Sequence, residues 1–151
     1  GKVRVLACVG KAAPAFWWKA LVRGGDWKKV KPALEGKVVV LHVWASWIPP
    51  CAAASKALEE FAQTVPQDKA AVLGISIDTE RKSLDAFLKQ RKVTLPTVWD
   101  RDNEAVRAFG LPGAPAYLVL DARRAVRFGE VGWFGEKTLG RIDEAVKQAL
   151  K

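Results

Sequence analysis

The run Val38-Val39-Val40-Leu41-His42-Val43-Trp44 limits what this chain can become more than any other segment. A nearly continuous, valine-rich run suits a central strand covered on both faces, because neither face alternates with polar residues. Pro49-Pro50 then breaks the pattern and the period changes. Ala54, Leu58, Phe61 and Val65 recur at helical spacing until Pro66 closes the segment. A buried strand feeding an amphipathic helix is the first half of a parallel βαβ unit.

The rest of the chain supplies partners for that unit. Val72 to Ile77 reads as a second buried strand, and Leu84, Phe87 and Leu88 mark a helix from about Arg81 to Arg91. Asn103 is expected to cap a short helix that runs through Phe109 and stops at Gly110. Ala116 to Leu120 and Ala125 to Val131 read as adjacent strands joined by Asp121-Ala122-Arg123-Arg124. Leu139, Ile142, Val146 and Ala149 predict an amphipathic C-terminal helix. Val3 to Val9 reads as a strand ahead of the core. Ala12-Ala13-Pro14-Ala15-Phe16 and the Gly24-Gly25-Asp26 turn form an irregular or hairpin-like lead-in. The order predicts one domain over residues 1–151, a three-layer α/β/α sandwich with a central mixed sheet and an N-terminal strand or hairpin extension.

Composition narrows the function. The most apolar segment, Val38 to Ile48, is shorter than the roughly 18 residues of a membrane span and carries His42 and Ser46. Lys and Arg outnumber Asp and Glu by 25 to 16, for a net charge of +9. The basic residues fall in short scattered clusters, however, and no nucleic-acid-binding motif accompanies them, so a solvated basic surface is expected and no nucleic-acid partner. Two cysteines, Cys8 and Cys51, are too few for a disulfide scaffold. With one histidine they also fall short of the three or four ligands of a usual metal site, so neither metal nor cofactor is expected. The chain opens on Gly1 and contains no methionine. We therefore expect a processed product, with any signal peptide or membrane tether lying upstream of Gly1.

Val40-Leu41-His42-Val43-Trp44-Ala45-Ser46-Trp47-Ile48-Pro49-Pro50-Cys51 resembles the active-site segment of the TlpA/ResA/CcmG group of extracytoplasmic thiol-disulfide oxidoreductases, within the redoxin and AhpC/TSA superfamily. In that group a strand leads through Trp-Ala-Ser/Thr-Trp-Cys-Pro-x-Cys into a helix. Gly10 to Phe16 is similar to the group's lead-in, Leu34 to Val40 to its approach to the first core strand, and Gly74-Ile75-Ser76-Ile77-Asp78 to its next strand. Phe109-Gly110-Leu111-Pro112-Gly113-Ala114-Pro115 resembles the loop that carries its cis-proline. The resemblance implies a thioredoxin-like fold, an extracytoplasmic location and a cis peptide at Pro115. It also implies that the residue before that proline, Ala114, offers backbone hydrogen bonds to an extended peptide.

One departure governs the chemistry. Where the group has the nucleophilic first cysteine, this chain has Ile48, and only the second, Cys51, remains. Isoleucine supplies no thiolate, and one thiol cannot close a CxxC disulfide, so ordinary dithiol exchange is excluded at this turn. Three readings of Cys51 stay open. It is an inert buried residue, a monothiol centre favoured by the helix N-terminus, or half of a disulfide with Cys8. The resemblance implies that His42 lies on the strand beneath it, either as a base for its thiol or as a hydrogen-bonded core residue with a lowered pKa. Trp44 is expected in the core and Trp47 exposed beside the turn, while Trp17, Trp18, Trp27 and Trp133 fall in lead-in or loop segments. The main reading is a redox-degenerate module that binds a protein or peptide in a groove formed by Trp47, Ile48, Pro49, Ala114 and Pro115. The competing reading is a monothiol enzyme, reducing peroxide or forming mixed disulfides, with Cys51 and His42 as its catalytic pair.

Overall fold

A computed structural model describes residues 4–14, 31–32 and 34–151. Trp17, Trp18, Trp27 and the Gly24-Gly25-Asp26 turn lie outside the described residues. Six strands form one mixed sheet in the order β1-β6-β5-β2-β3-β4. They are β1 (Arg4–Val5), β2 (Val38–Trp44), β3 (Ala70–Ser76), β4 (Thr97–Trp99), β5 (Ala116–Leu120) and β6 (Val126–Val131). The helices are α1 (Pro50–Thr64), α2 (Arg81–Gln90), α3 (Glu104–Phe109) and α4 (Glu136–Ala149).

The β2-α1-β3 unit is parallel, with Val38 opposite Ala70 and Trp44 opposite Ser76. All seven residues of β2 are buried, as the unbroken apolar run requires. Successive side chains on a strand point to opposite faces, and β2 divides accordingly. Val39, Leu41 and Val43 pack with Leu73, Ile75, Leu118, Leu120 and Phe109 of α3. Val38 and Val40 pack with Leu58 and Phe61 of α1 and with Ile142 and Val146 of α4. Trp44 continues that second face, joining Cys51 and Leu84 of α2. The sheet is thus covered on both sides, and the expected three-layer sandwich is what forms.

Three expectations need correction. Among the described residues the Val3–Val9 strand shrinks to Arg4–Val5, which pairs antiparallel with β6 at the sheet edge. A strand absent from the sequence reading, β4, extends the parallel set beyond β3. Its three residues follow Pro96 and are too few to show a period. Asn103 does not cap α3, since it sits in the left-handed region at φ 56 and its side chain bonds no helix N–H. The cap is Asp100, whose carboxylate accepts from the N–H groups of Glu104 at 3.0 Å and Ala105 at 2.7 Å. Gly110 ends the helix at φ 63, as anticipated.

Candidate functional site

The site begins where β2 ends. Ala45 and Ser46 leave the sheet, Ile48 N–H bonds Ala45 C=O at 3.2 Å, and Cys51 N–H bonds Ile48 C=O at 3.0 Å. Pro50 occupies the first position of α1, where its missing N–H is no loss. Cys51, one residue further in, turns its side chain inward against Trp44 and Leu84, with Ile48, Phe87, Leu88 and Trp99 packed around them.

A buried carboxylate fixes this turn. Asp78, just past β3, accepts from Ser46 N–H at 3.0 and 3.2 Å, from Ser46 Oγ at 2.6 Å and from Ser76 Oγ at 2.7 Å. Its own carbonyl accepts from Trp99 Nε1 at 2.7 Å. These bonds hold the residue directly before Trp47, and Trp47 stands out from the surface 71 % exposed. The sequence reading treated Asp78 only as part of a strand resemblance. Its signal was the one acidic side chain after an otherwise apolar strand.

The predicted groove residues divide. Trp47, Ile48 and Ala114 line one depression of about 400 Å³, together with Ile77, Val106 and Leu111. Pro49 faces a neighbouring cavity of about 620 Å³, whose lining includes Lys56, Glu59 and Arg91. Pro115 is buried and does not line the depression. The Ala114–Pro115 peptide is cis, and Pro115 C=O is taken by Gly132 N–H at 2.8 Å. Among the described residues no hydrogen bond takes up the Ala114 N–H or C=O, which leaves both open to an extended chain.

The predicted catalytic pair is brought to one face of the sheet but not joined. Cys51 has no exposed surface. Burial pushes its thiol up to about 11, the Ala45 backbone pulls the other way, and the Asp78 charge adds to the rise. A thiolate favoured by the helix N-terminus is one of the three readings the sequence leaves open, beside an inert buried thiol. Desolvation outweighs that field because the sulfur points into the core. His42 is fully buried, and neither ring nitrogen has a hydrogen-bond partner, so no thiol–imidazole bond exists. Burial lowers its pKa to about 3, and the ring lies parallel to Tyr117 at 5.1 Å and nearly so to Trp44 at 6.1 Å. The lowered pKa fits a core histidine; the hydrogen bonds expected of one are missing. Cys8 and Cys51 are both free thiols, which removes the disulfide reading. Trp133 packs against Tyr117 at 5.8 Å. Among the described residues no group of three or more His, Cys, Asp or Glu is placed to hold a metal ion, and no helix is long and apolar enough to cross a membrane.

Comparison with known proteins agrees with this geometry. Residues 9–128 match the AhpC/TSA family. The thiol-disulfide oxidoreductase ResA of Oceanobacillus iheyensis is 30% identical over 143 residues, covering 94% of this chain and 66% of that protein. The thiol:disulfide interchange protein DsbE of Tatumella citrea is 27% identical over 127 residues, covering 83% and 66%. The chain thus spans just under two thirds of the length of these relatives. A DsbE structure from Chlorobium tepidum superposes with a TM-score of 0.72 at 22% identity, over 77% of this chain and 82% of that one. The fold is thioredoxin-like, as in the solved structures it resembles.

Proposed function

The chain belongs to the AhpC/TSA family, and from that premise we propose that it is a redox-degenerate member. It docks an extended protein or peptide segment in the Trp47–Ile48–Ala114 groove and carries out no dithiol exchange. The observation that carries this reading is Ile48. On the resemblance of this turn to a CxxC segment it takes the place of the nucleophilic cysteine, it supplies no thiolate, and it packs against the cluster that holds a Cys51 with no exposed surface. What persists is the recognition surface: an exposed indole, an apolar depression and the open backbone groups of Ala114. An extended ligand would pair with that backbone and place an apolar side chain beside Trp47.

The experiment is a titration with extended apolar peptides, followed by the NMR shifts of the Trp47 indole and Ala114 amide, alongside a disulfide-reduction assay. Binding that persists in Cys51→Ala, with no Cys51-dependent turnover in the parent, is the expected result. Turnover that vanishes in Cys51→Ala would replace this reading with the monothiol enzyme. We extend the proposal to an extracytoplasmic location, as the family resemblance implies. Alkaline phosphatase fused to the C-terminus of the full gene product should then be active in cells, and an inactive fusion would refute that location.

A further inference from the structure

Gly74 of β3, His42 of β2, Tyr117 of β5 and Glu130 of β6 are register partners in turn. The side chains of directly paired residues stand side by side on one face of a sheet, here the face under α1 and α4. Arg141 reaches this row from α4, its Nε donating to both carboxylate oxygens of Glu130 at 2.8 Å. Among the described residues, the buried side-chain polar atoms without a hydrogen-bond partner are His42 Nδ1, His42 Nε2, Tyr117 Oη and Arg141 Nη2. All four belong to this row or to the arginine at its end.

The two ends of the row differ. At Gly74 it is closed, because a Cβ there would lie 3.1 Å from Trp44 Nε1, so the indole fills the space over the glycine. At Glu130 it reaches the surface, where the Arg141 side chain is 33 % exposed. Cys51 lies near the closed half, and its charge adds to burial in raising the Tyr117 phenol. A neutral imidazole offers one donor and one acceptor, a phenol both, and the guanidinium donors only. Water complements that mixture, and buried polar groups left unpaired by protein are where internal water binds.

We propose that internal water occupies this row as a one-ended file. It enters beside Arg141, ends at His42, and exchanges protons between the buried His42–Cys51 end and bulk solvent without opening the fold. The docking surface plays no part in it. The test is NMR of the protein labelled with ¹⁵N-histidine. The expected result is cross-relaxation between the His42 ring and long-lived water, with the ring N–H protected, relative to free imidazole, at least about a hundredfold less than the β2 amides are relative to unstructured peptide. Ring protection as strong as that of those amides, with no water cross-peak, would overturn the proposal. Tyr117→Phe removes the middle hydroxyl and should slow ring exchange by about tenfold or more while β2 amide protection holds. Arg141→Leu, at the half-buried mouth, makes the same test if Tyr117→Phe fails to fold. Unchanged exchange in a folded variant of either kind refutes the path.

Discussion

Ile48 and Cys51 are joined by a single tight turn, closed by the Cys51 N–H to Ile48 C=O bond at 3.0 Å, and a CxxC spacing in such a turn suits a disulfide. Ile48→Cys should therefore yield a protein that forms an intramolecular disulfide and reduces disulfide substrates in the presence of a dithiol. Thiol titration before and after mild oxidation checks the first outcome, and an insulin-type assay the second. The exchange removes part of an aliphatic side chain from the cluster of Trp44, Leu84 and Phe87, for a stability loss of about 1 kcal/mol. A variant that oxidises but stays inactive would show that disulfide reduction here needs more than a second thiol in the turn. The identity of position 48 was plain in the sequence. The inward direction of Cys51 stood only as one of three readings, because a residue in the first helical turn faces the core or the solvent according to how the strand before it delivers the chain.

Helix α3 shows how far local signals reach. Its existence and its Gly110 stop were legible, since helix periodicity and a left-handed glycine are properties of neighbouring residues. Its cap was misplaced by three positions. Asp100 and Asn103 are both good capping residues, and choosing between them depends on where β4 releases the chain, which a three-residue strand does not announce. Asp100→Ala should lower stability by about 1–2 kcal/mol through the loss of two N–H partners. Asn103→Gly should be neutral or stabilising by up to about 1 kcal/mol, because glycine occupies φ 56 without strain. Chemical denaturation of the pair measures both, and the opposite order would contradict the cap.

At the scale of the molecule, the buried His42 and Cys51 bound stability from opposite sides. His42 ionises near 6.5 in the unfolded chain and near 3 when folded. Below pH 6.5 the unfolded state binds the extra proton, so stability present at neutral pH is lost as the pH falls toward 3. The contribution is on the order of 3–5 kcal/mol. Cys51 ionises near 9 unfolded and near 11 folded, so its share is intact below pH 9 and is lost as the pH rises through 11. His42→Phe should flatten the acid limb of a plot of Tm against pH, and Cys51→Ala the alkaline limb. Limbs that stay unchanged would remove these groups as the cause. The layers behind this behaviour were readable from apolar periodicity alone, because burial on one or both faces writes itself along each strand. The row from His42 to Glu130 was not, because register between strands distant in sequence is set by the assembled sheet.

The sheet's two margins bear on how this protein meets other chains. Among the described residues one margin is the two-residue β1 and the other the three-residue β4, so neither offers a ledge long enough to template a foreign strand. Ala114 is different: its donor and acceptor stay open in an inner loop, between an indole and a hydrophobic hollow. Edge-to-edge stacking of one copy on the next is thereby discouraged. On the docking function proposed above, an extended visitor would be met at the groove and not at a sheet margin, so the economy of edges that guards against fibrils would leave recognition to the one inner loop.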